Sequence, residues 1–599
     1  MLDSVHEQIM SVLTEFNDAL AVQDSDRVAS CFETDGYWRD LLAYSWNIAT
    51  MQGHDEIAAM LAAQLSSVAP SGLEIDPDQP SEDDGTTISA WVRFETALAH
   101  GYGHIRVRNG KIWTLLTTVA ELKGYPEMIG SRRPFGVTHG TDTDRRSWLE
   151  ERELEYNSLG VDVQPYVVII GGGQGGIALG ARLRALGVST VIVERNERAG
   201  DSWRNRYKSL CLHDPVWYDH LPYMDFPESW PIFSPKDKLG DWLESYTKIM
   251  DLNYWTKTVC ESCDYDAATG QWTVQVIRDG EPMTLRPAHV VLATGMSGKP
   301  RIPDFKGIER FKGDHHHSSQ HPGPDAYGGK KVVVIGSNNS SHDICAALWE
   351  AGADVTMIQR STTHIVRSES LMELGLGPLY SQEAVDSGIS TDKADMIFAS
   401  IPYGLLADFQ RPVYEQIAQR DSTFYDGLAK AGFLLDWGAD ESGLFMKYLR
   451  RGSGYYIDVG ASQLIIDGKI KLKAGLEIQE INETAVLLSD GSELEADLII
   501  YATGYTSMNS WAGELMGQDV ADRVGKCWGL GSDTPMDPGP WIGELRNMWK
   551  PTRQPGLWFH GGNLHQSRHY SLYLAMQLKA RMEGLDFKVY GVPETYHLS

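Results

Sequence analysis

Three glycines and one acid stand at the spacing that binds a dinucleotide. Gly171, Gly173 and Gly176 fall in the order G-x-G-x-x-G, and Glu194 follows Gly171 by 23 residues. In this pattern the first glycine makes a tight turn, the second lets the backbone approach a pyrophosphate, and the third lets helix and strand pack closely. A glutamate at the end of the next strand accepts hydrogen bonds from ribose hydroxyls that carry no 2′-phosphate. The pattern therefore predicts a dinucleotide site.

A second set of residues resembles the first but ends in the opposite charge. Gly336 begins this set, Asn338 and Ser341 replace the second and third glycines, and Arg360 follows Gly336 by 24 residues. Asparagine tolerates left-handed backbone and serine is small, so a tight turn is still feasible. A cation at the strand end binds a 2′-phosphate, which Glu194 would repel, although Arg360 can also be read as an ordinary surface cation.

The two sets together predict FAD at the first site and NADPH at the second. The candidate NADPH-binding residues are Gly336, Ser337, Asn338, Asn339, Ser340, Arg360 and Ser361.

Each set lies within a strand, helix and strand pattern. Tyr166 to Ile170 and Val191 to Val193 are apolar, β-branched runs suited to buried parallel strands, and apolar residues between them recur at helical spacing. Lys331 to Ile335 and Val355 to Ile358 repeat the arrangement. The sequence therefore predicts an α/β protein with two Rossmann-like dinucleotide-binding domains.

Residues 1–122 have a different pattern, with three amphipathic helices followed by a meander of strands. We predict helices over 5–22, 26–32 and 55–65, strands near 86–99, 104–107 and 111–119, and a hairpin turn at Asn109-Gly110. This pattern resembles the cone-shaped SnoaL-like α+β fold of polyketide cyclases and ketosteroid isomerases. In such a fold Asp35 or Asp40 could act as a base, but we favour a non-catalytic accessory domain or a homodimerisation domain.

Composition narrows the class of protein. The 599 residues contain 53 Lys and Arg against 81 Asp and Glu, a formal charge of −28, which opposes a broad nucleic-acid or anionic-membrane surface. The six cysteines are scattered and no secretory or membrane-spanning apolar run is evident, so we expect a cytoplasmic protein. Cys260 and Cys263 are interpreted as structural. The run His315 to His317 has no carboxylate or cysteine at ligand spacing, so no metal site is predicted.

Four further motifs carry a resemblance to a known family. They are Gly200-Asp-Ser-Trp-Arg204, the segment from Phe311 to Pro322 with His317 and His321, the ATGY of 502–505, and LWFHGGNLHQSRHYS at 557–571. With both dinucleotide patterns, they resemble the class B flavin-dependent monooxygenases over about 163–590. The resemblance is in particular to the fungal and bacterial flavin-containing monooxygenases related to plant auxin-forming enzymes. His321 stands where tryptophan completes the Baeyer–Villiger form of the motif.

The resemblance implies a set of flavin-site residues. It places Trp203, Arg204, Gly561, Gly562, Gln566 and Ser567 near the flavin. His213 stands where family members often have a flavin-side asparagine, and it is our candidate catalytic residue. The remaining candidate FAD-binding residues are Gly171, Gly173, Gly175, Gly176, Glu194, Arg195, Ser202, Thr294, Gly295, Thr503 and Gly504.

The resemblance also implies domain boundaries. After a linker over 123–164, we expect an FAD-binding part at 165–329 and an NADPH-binding domain at 330–500, with an inserted segment that covers the substrate. A return part of the FAD-binding domain follows at 501–599.

The implied reaction is a monooxygenation. NADPH reduces FAD, O2 adds to give a C4a-(hydro)peroxyflavin, and one oxygen atom enters a small organic substrate by N- or S-oxygenation or a related reaction. Baeyer–Villiger or decarboxylative oxygenation of a ketone or aryl pyruvate is the alternative. An NADPH oxidase or a non-catalytic flavoprotein is a third reading. A pyridine nucleotide–disulfide reductase is disfavoured because Cys211 stands alone after the first fingerprint.

Overall fold

A computed structural model describes residues 2–136, 145–534, 537–592 and 594–595. Its first unit packs three helices against one sheet. The helices are α1 (Leu2–Ala21), α2 (Ser25–Ser30) and α3 (Gly53–Val68), and the strands are β1 (Phe32–Leu41), β2 (Ile48–Gln52), β3 (Glu74–Ile75), β4 (Glu82–Asp83), β5 (Ile88–Glu95), β6 (Ala99–Arg108) and β7 (Lys111–Leu122). The strand order is β2-β1-β7-β6-β5-β3, with β4 paired to β5.

The predicted helices and meander are present in this unit, but the four strands β1, β2, β3 and β4 were not predicted. The second helix ends at Ser30, and Phe32 already begins β1, which pairs with β7 in parallel. Asn109 and Gly110 both have positive φ, 54° and 70°, as a tight hairpin turn between β6 and β7 requires. The likeness to the SnoaL-like fold stays a prediction.

The two acids considered as bases in this unit differ in their surroundings. Asp40 is fully buried and accepts hydrogen bonds from the backbone N–H groups of Tyr44 and Ser45 and from the hydroxyls of Ser45 and Thr117. Asp35 is exposed. Asp40 thus holds the turn after β1, which accounts for its burial without a catalytic role.

The middle of the chain supplies the first parallel sheet and its neighbours. In chain order the elements are α4 (Trp148–Ser158), β8 (Val167–Ile170), α5 (Gln174–Ala185), β9 (Thr190–Val193), α6 (Asp201–Arg204), β10 (Cys211–Pro215), α7 (Val216–Asp219), β11 (Phe233–Pro235), α8 (Lys236–Ile249), β12 (Tyr254–Trp255), β13 (Thr258–Asp266), β14 (Gln271–Arg278), β15 (Glu281–Leu285), β16 (His289–Leu292) and β17 (Asp314–His317).

The second parallel sheet and the inserted helices follow. The elements are β18 (Lys331–Ile335), α9 (Asn339–Glu350), β19 (Asp354–Gln359), β20 (His364–Arg367), α10 (Ser368–Ser370), α11 (Gln382–Asp386), α12 (Thr391–Ala399), α13 (Tyr403–Arg420), α14 (Ser422–Lys430), α15 (Gly443–Arg451), β21 (Tyr455–Asp458), α16 (Ala461–Ile466), β22 (Lys471–Ala474), β23 (Ile478–Ile481), β24 (Ala485–Leu488), β25 (Glu493–Glu495), β26 (Leu498–Tyr501), α17 (Asn509–Met516), α18 (Gln518–Val524), β27 (Leu557–Phe559) and α19 (Leu564–Met582).

The two parallel sheets give the molecule its α/β class. The first has the order β12-β9-β8-β16-β27, and the second has the order β17-β26-β18-β19-β22. Strand β27 returns from the end of the chain to pair with β16, so the first sheet is built from two distant segments. Strand β17 lies in the range expected to belong to the FAD-binding part, yet it pairs with β26 of the second sheet.

Buried contacts join the N-terminal unit, which ends with β7, to the rest of the chain. The Arg39 guanidinium, 1% exposed, donates to both carboxylate oxygens of Glu544, at 2.6 and 2.9 Å. The same group lies 4.5 Å from the centre of the Tyr403 ring. Trp46 stacks on Phe587 with ring centres 4.0 Å apart. The N-terminal unit and the two-sheet body therefore share one interior.

Candidate functional site

A large cavity lies where the loops of both parallel sheets meet. It has a volume of about 1370 Å³ and runs from the first glycine turn to the segments around Thr503 and Gly561. Eleven of the predicted FAD-binding residues line it: Gly171, Gly173, Gly175, Glu194, Arg195, Ser202, Trp203, Thr294, Gly295, Thr503 and Gly504. Gly561 and Gly562 line it as well. Residues far apart in the chain are thus brought to one site.

The first glycine turn has the shape that a pyrophosphate needs. Gly171 has a φ of 110°, which L side chains rarely adopt. A Cβ on Gly176 would lie 2.0 Å from the Gly171 carbonyl oxygen, so only glycine lets α5 pack this closely. A Cβ on Gly173 would meet nothing nearer than the Ser202 hydroxyl at 3.8 Å, because this residue faces the cavity. The turn therefore leaves free space beside the N-terminus of α5, where N–H groups favour an anion.

Glu194 is buried at the end of β9 and is held by the backbone. Its carboxylate accepts hydrogen bonds from the N–H groups of Gly172 at 2.9 Å and Asn196 at 2.8 Å. Each carboxylate oxygen retains a lone pair for another donor. The Thr294 hydroxyl, also at the cavity, is buried and has no hydrogen-bond partner among the described residues. These groups match the hydroxyls and phosphates of a bound dinucleotide.

The second turn lies outside this cavity and is built from polar side chains. Gly336 has a φ of 131°. The Ser337 hydroxyl lies 2.7 Å from that of Thr363, and the Asn339 side chain accepts a hydrogen bond from the Ile457 N–H at 3.0 Å. Asn338 directly precedes α9 without a capping hydrogen bond from its side chain, and Ser340 lies in the first turn of that helix. Arg360 and Ser361 follow β19 on the exposed surface.

His213 does not line the large cavity. Its Nε2 lies 3.4 Å from the Asp343 carboxylate on α9, and the same carboxylate accepts a hydrogen bond from the Tyr207 hydroxyl at 2.8 Å. Burial lowers the pKa of His213, but the hydrogen bond to Asp343 and its charge outweigh burial, so the pKa is raised. His213, on β10, therefore links that strand to α9, the helix that follows the second turn.

Three other candidates also point away from the cavity. The Arg204 guanidinium is paired with Asp201, Asp241 and Glu244. The Gln566 side chain accepts a hydrogen bond from the Tyr448 hydroxyl at 2.7 Å. Tyr448 lines the cavity, whereas Gln566 does not. Ser567 is fully buried in α19.

Sequence reasoning missed one end of the cavity. Tyr448, Arg451, Trp511, Lys526 and Trp528 line it, and they come from segments with little motif content. Arg451 donates only to the Ser453 carbonyl, and neither Arg451 nor Lys526 has a carboxylate within ion-pair distance among the described residues. Burial lowers the pKa of both groups. Tyr448 and Arg451 lie close together in the sequence, but Trp511, Lys526 and Trp528 lie 60 or more residues further along, so no local pattern marks the five as one site.

The Trp511 indole N–H adds a hydrogen-bond donor to this end. It is buried and has no partner among the residues that the structure describes. The Trp528 indole N–H is already bonded to the Tyr448 carbonyl at 2.7 Å, which fixes that ring in place. This end of the cavity thus offers two cations, one free donor and aromatic walls.

The cysteine pair and two residues of the histidine run contact other groups of the protein. Cys260 and Cys263 are free thiols on β13 with their sulfur atoms 3.6 Å apart. His316 and His317 have separate partners, the His321 ring at 3.0 Å and the Gly504 carbonyl at 3.1 Å.

None of the helices in the described part of the chain is both long and apolar enough to cross a membrane.

Comparisons with known proteins show what this chain is similar to. Residues 168–401 match the family described as pyridine nucleotide-disulphide oxidoreductase. The chain is 31% identical over 366 residues to indole-3-pyruvate monooxygenase YUCCA1 of Oryza sativa subsp. japonica, covering 60% of this chain and 82% of the relative. It is 30% identical over 351 residues to probable indole-3-pyruvate monooxygenase YUCCA3 of Arabidopsis thaliana, covering 57% and 74%.

Among solved structures, an ε-caprolactone-bound cyclohexanone monooxygenase superposes with a TM-score of 0.50. It is 17% identical and covers 70% of this chain and 88% of its own. At that identity the likeness concerns the fold alone.

Proposed function

The chain belongs to the family of flavin-dependent monooxygenases that includes the indole-3-pyruvate monooxygenases, and we propose that its own substrate is a small aryl 2-oxo acid. In this proposal FAD occupies the large cavity and NADPH binds across the second turn. When bound, FAD would supply the redox chemistry, which is acceptance of two electrons from NADPH and activation of O2. The protein binds both cofactors, orients the substrate and keeps water away from the reacting centre.

The residues at the first turn fit FAD. Gly171, Gly173 and the N-terminus of α5 would hold the pyrophosphate, and Glu194 would accept from the adenosine ribose. The Thr294 hydroxyl supplies an additional free partner. At the second turn, the exposed Arg360 would pair with the 2′-phosphate of NADPH.

The observation that carries the substrate class is that Arg451 and Lys526 have no ion-pair partner among the described residues. Arg451 and Lys526 line the same cavity as the glycine turn and would bind the carboxylate of a substrate. Trp511 and Trp528 would hold its aromatic ring, with the Trp511 N–H free to donate to the 2-oxo group. The relatives named above are monooxygenases of indole-3-pyruvate, a compound of this class. A neutral amine or thioether would leave both cations without a partner.

The proposed reaction is an oxidative decarboxylation. One atom of O2 enters the acyl carbon as the bond to the carboxylate breaks, giving a carboxylic acid one carbon shorter and CO2. The other oxygen atom leaves as water, with two electrons from NADPH and two protons. N- or S-oxygenation of a neutral substrate, which needs no cation in the cavity, is the alternative.

The test is product analysis of the purified holoenzyme with NADPH, O2 and either indole-3-pyruvate or an aryl methyl thioether. We expect the 2-oxo acid to give the shortened acid with one atom of ¹⁸O from ¹⁸O2, and the thioether to react slowly. Replacement of Arg451 or Lys526 by Gln should raise the KM for the 2-oxo acid by about tenfold.

The matched control is Lys299→Gln, because this cavity-lining lysine is already paired with Glu514 at 2.6 Å. Its KM should stay near that of the unmodified enzyme. A sulfoxide as the main product would favour the alternative reaction. Hydrogen peroxide with every substrate would instead favour an NADPH oxidase.

A further inference from the structure

A second cavity of about 800 Å³ lies between the N-terminal unit and the two-sheet body. One wall is formed by the neighbouring ends of β5, β6 and β7, and the opposite wall by α12 and α19. This cavity has no lining residue in common with the large cavity. Its volume lies within the range of about 300 to 1,000 Å³ that is usual for small-molecule sites.

A buried histidine with a free ring nitrogen lines this cavity. His569 on α19 is 7% exposed, and its Nε2 has no hydrogen-bond partner among the described residues. Burial lowers the pKa of His569 to about 3, so the ring is neutral at physiological pH. Buried polar atoms in folded proteins are nearly always hydrogen-bonded. The free nitrogen is therefore a place where a ligand would complete a hydrogen bond.

The charges around the cavity favour a cationic ligand. Each lining arginine is paired with a carboxylate: Arg93 with Asp76 at 2.6 Å, Arg182 with Glu127 at 3.4 Å, and Arg568 with Asp395 at 2.9 Å. In contrast, Asp392 and Glu74 line the cavity and have no ion-pair partner within the described ranges of the chain. The charge of Asp392 also raises the pKa of Arg182 and of Arg568. The lining as a whole holds five carboxylates against three arginines, so it attracts a cation more strongly than an anion.

Apolar and aromatic groups form the rest of the lining. Tyr102 and Leu572, which are half-buried, offer an aromatic ring and aliphatic surface, while the other apolar lining residues Phe94, Val119 and Tyr573 are nearly fully buried. Aromatic rings attract an organic cation through their faces and bury its apolar part. The lining thus combines surface for an aromatic ring with two free carboxylates.

We propose that this cavity is a second small-molecule site that binds an arylalkyl ammonium ion. The ammonium group lies at Asp392 and Glu74, the aryl ring packs against the aromatic wall, and a polar atom of the ring bonds the His569 Nε2. This inference does not depend on the proposed oxygenation, because the two cavities are separate. It gives the N-terminal unit a role in forming a ligand site.

The test is isothermal titration calorimetry of the FAD-loaded full-length protein with two probes that share one ring. Tryptamine carries a cation and indole-3-acetate an anion. We expect tryptamine to bind at least about tenfold more tightly than indole-3-acetate. Two variants locate the site: Ala120→Trp, at an exposed lining position, should abolish tryptamine binding, and Asp392→Asn should weaken it by about fivefold.

The matched control is Asp426→Asn, an exposed carboxylate on α14 that lines neither cavity. This control should bind tryptamine as the unmodified protein does. Flavin content and NADPH oxidation should be unchanged in all three variants, which verifies folding. The proposal is overturned if tryptamine does not bind, if Ala120→Trp binds it normally, or if indole-3-acetate binds equally well.

Discussion

In the first dinucleotide unit the turn between strand and helix is made of glycine, whereas in the second it is made largely of polar side chains. Gly176 of the first unit corresponds to Ser341 of the second, and Gly173 corresponds to Asn338. The second turn is tied to later parts of the chain through Thr363 and Ile457. The first turn is therefore specified locally, and the second depends on segments that fold onto it.

The units also differ in the charge at the end of their second strand. Glu194 is buried and bonded to the backbone, while Arg360 is exposed. A buried carboxylate repels a phosphate and an exposed guanidinium attracts one. This difference is the basis of our proposal that FAD binds the first dinucleotide unit and NADPH the second.

The largest effect is expected at the glycine that packs against its own turn. In Gly176→Ala the new Cβ would lie 2.0 Å from the Gly171 carbonyl oxygen, so the turn must shift. We expect loss of most of the bound FAD and a destabilisation of at least about 3 kcal/mol. Flavin absorbance per protein and chemical denaturation would measure both.

The corresponding change in the second unit is Ser341→Ala. Because that position already accepts a Cβ, we expect FAD content to remain near that of the unmodified protein. Full FAD occupancy in Gly176→Ala would show that the two turns are interchangeable, contrary to this account.

The next largest effect is expected at the exposed cation. Arg360→Ser should lower kcat/KM for NADPH by about 10- to 100-fold through loss of a charge-assisted hydrogen bond, and leave NADH almost unaffected. Steady-state kinetics with both nucleotides would measure the ratio. Arg195→Ser, directly after Glu194 in the first dinucleotide unit, should leave the ratio of kcat/KM for NADPH to that for NADH unchanged. An equal loss with both nucleotides would mean that Arg360 does not recognise the 2′-phosphate.

A smaller effect is expected at the acid of the first unit. Glu194→Gln places an amide NH2 against the N–H of either Gly172 or Asn196, and it removes a charged acceptor for the ribose. We expect the Kd for FAD to rise about tenfold with no change in the NADPH to NADH ratio. Glu197→Gln, an exposed neighbour, is the control. Unchanged FAD affinity would argue against the assignment of FAD to this unit.

The smallest effect is expected at His213, whose ring contacts Asp343 on α9 of the second dinucleotide unit. The raised pKa of His213 means that its pairing with Asp343 stabilises the fold fully below about pH 6.5 and that this contribution is lost as pH rises through the raised pKa. His213→Gln should therefore lower the melting temperature more at pH 6 than at pH 9, by about 2 °C or less. A deficit that grew toward pH 9 would contradict the sign.

Elements that depend on residues close together in the sequence could be predicted. Sites that form from residues far apart in the sequence could not. The strands at Val167 and Lys331, the glycine turn and the Asn109-Gly110 hairpin each follow from short local patterns. Arg451 and Lys526 meet at one cavity only after the two sheets pack, so no local pattern marks them. For the same reason His213, placed near the flavin by resemblance, is found bonded to Asp343.

The central claim is that FAD in the first unit is reduced by NADPH held by the second. Rapid mixing of the FAD-loaded protein with NADPH or NADH, without oxygen, followed by absorbance in the flavin band, tests it most directly. We predict that NADPH bleaches the flavin at least about tenfold faster than NADH at the same low concentration, and that Arg360→Ser abolishes this preference. A protein that binds no flavin, or whose flavin NADPH does not reduce, would contradict the account.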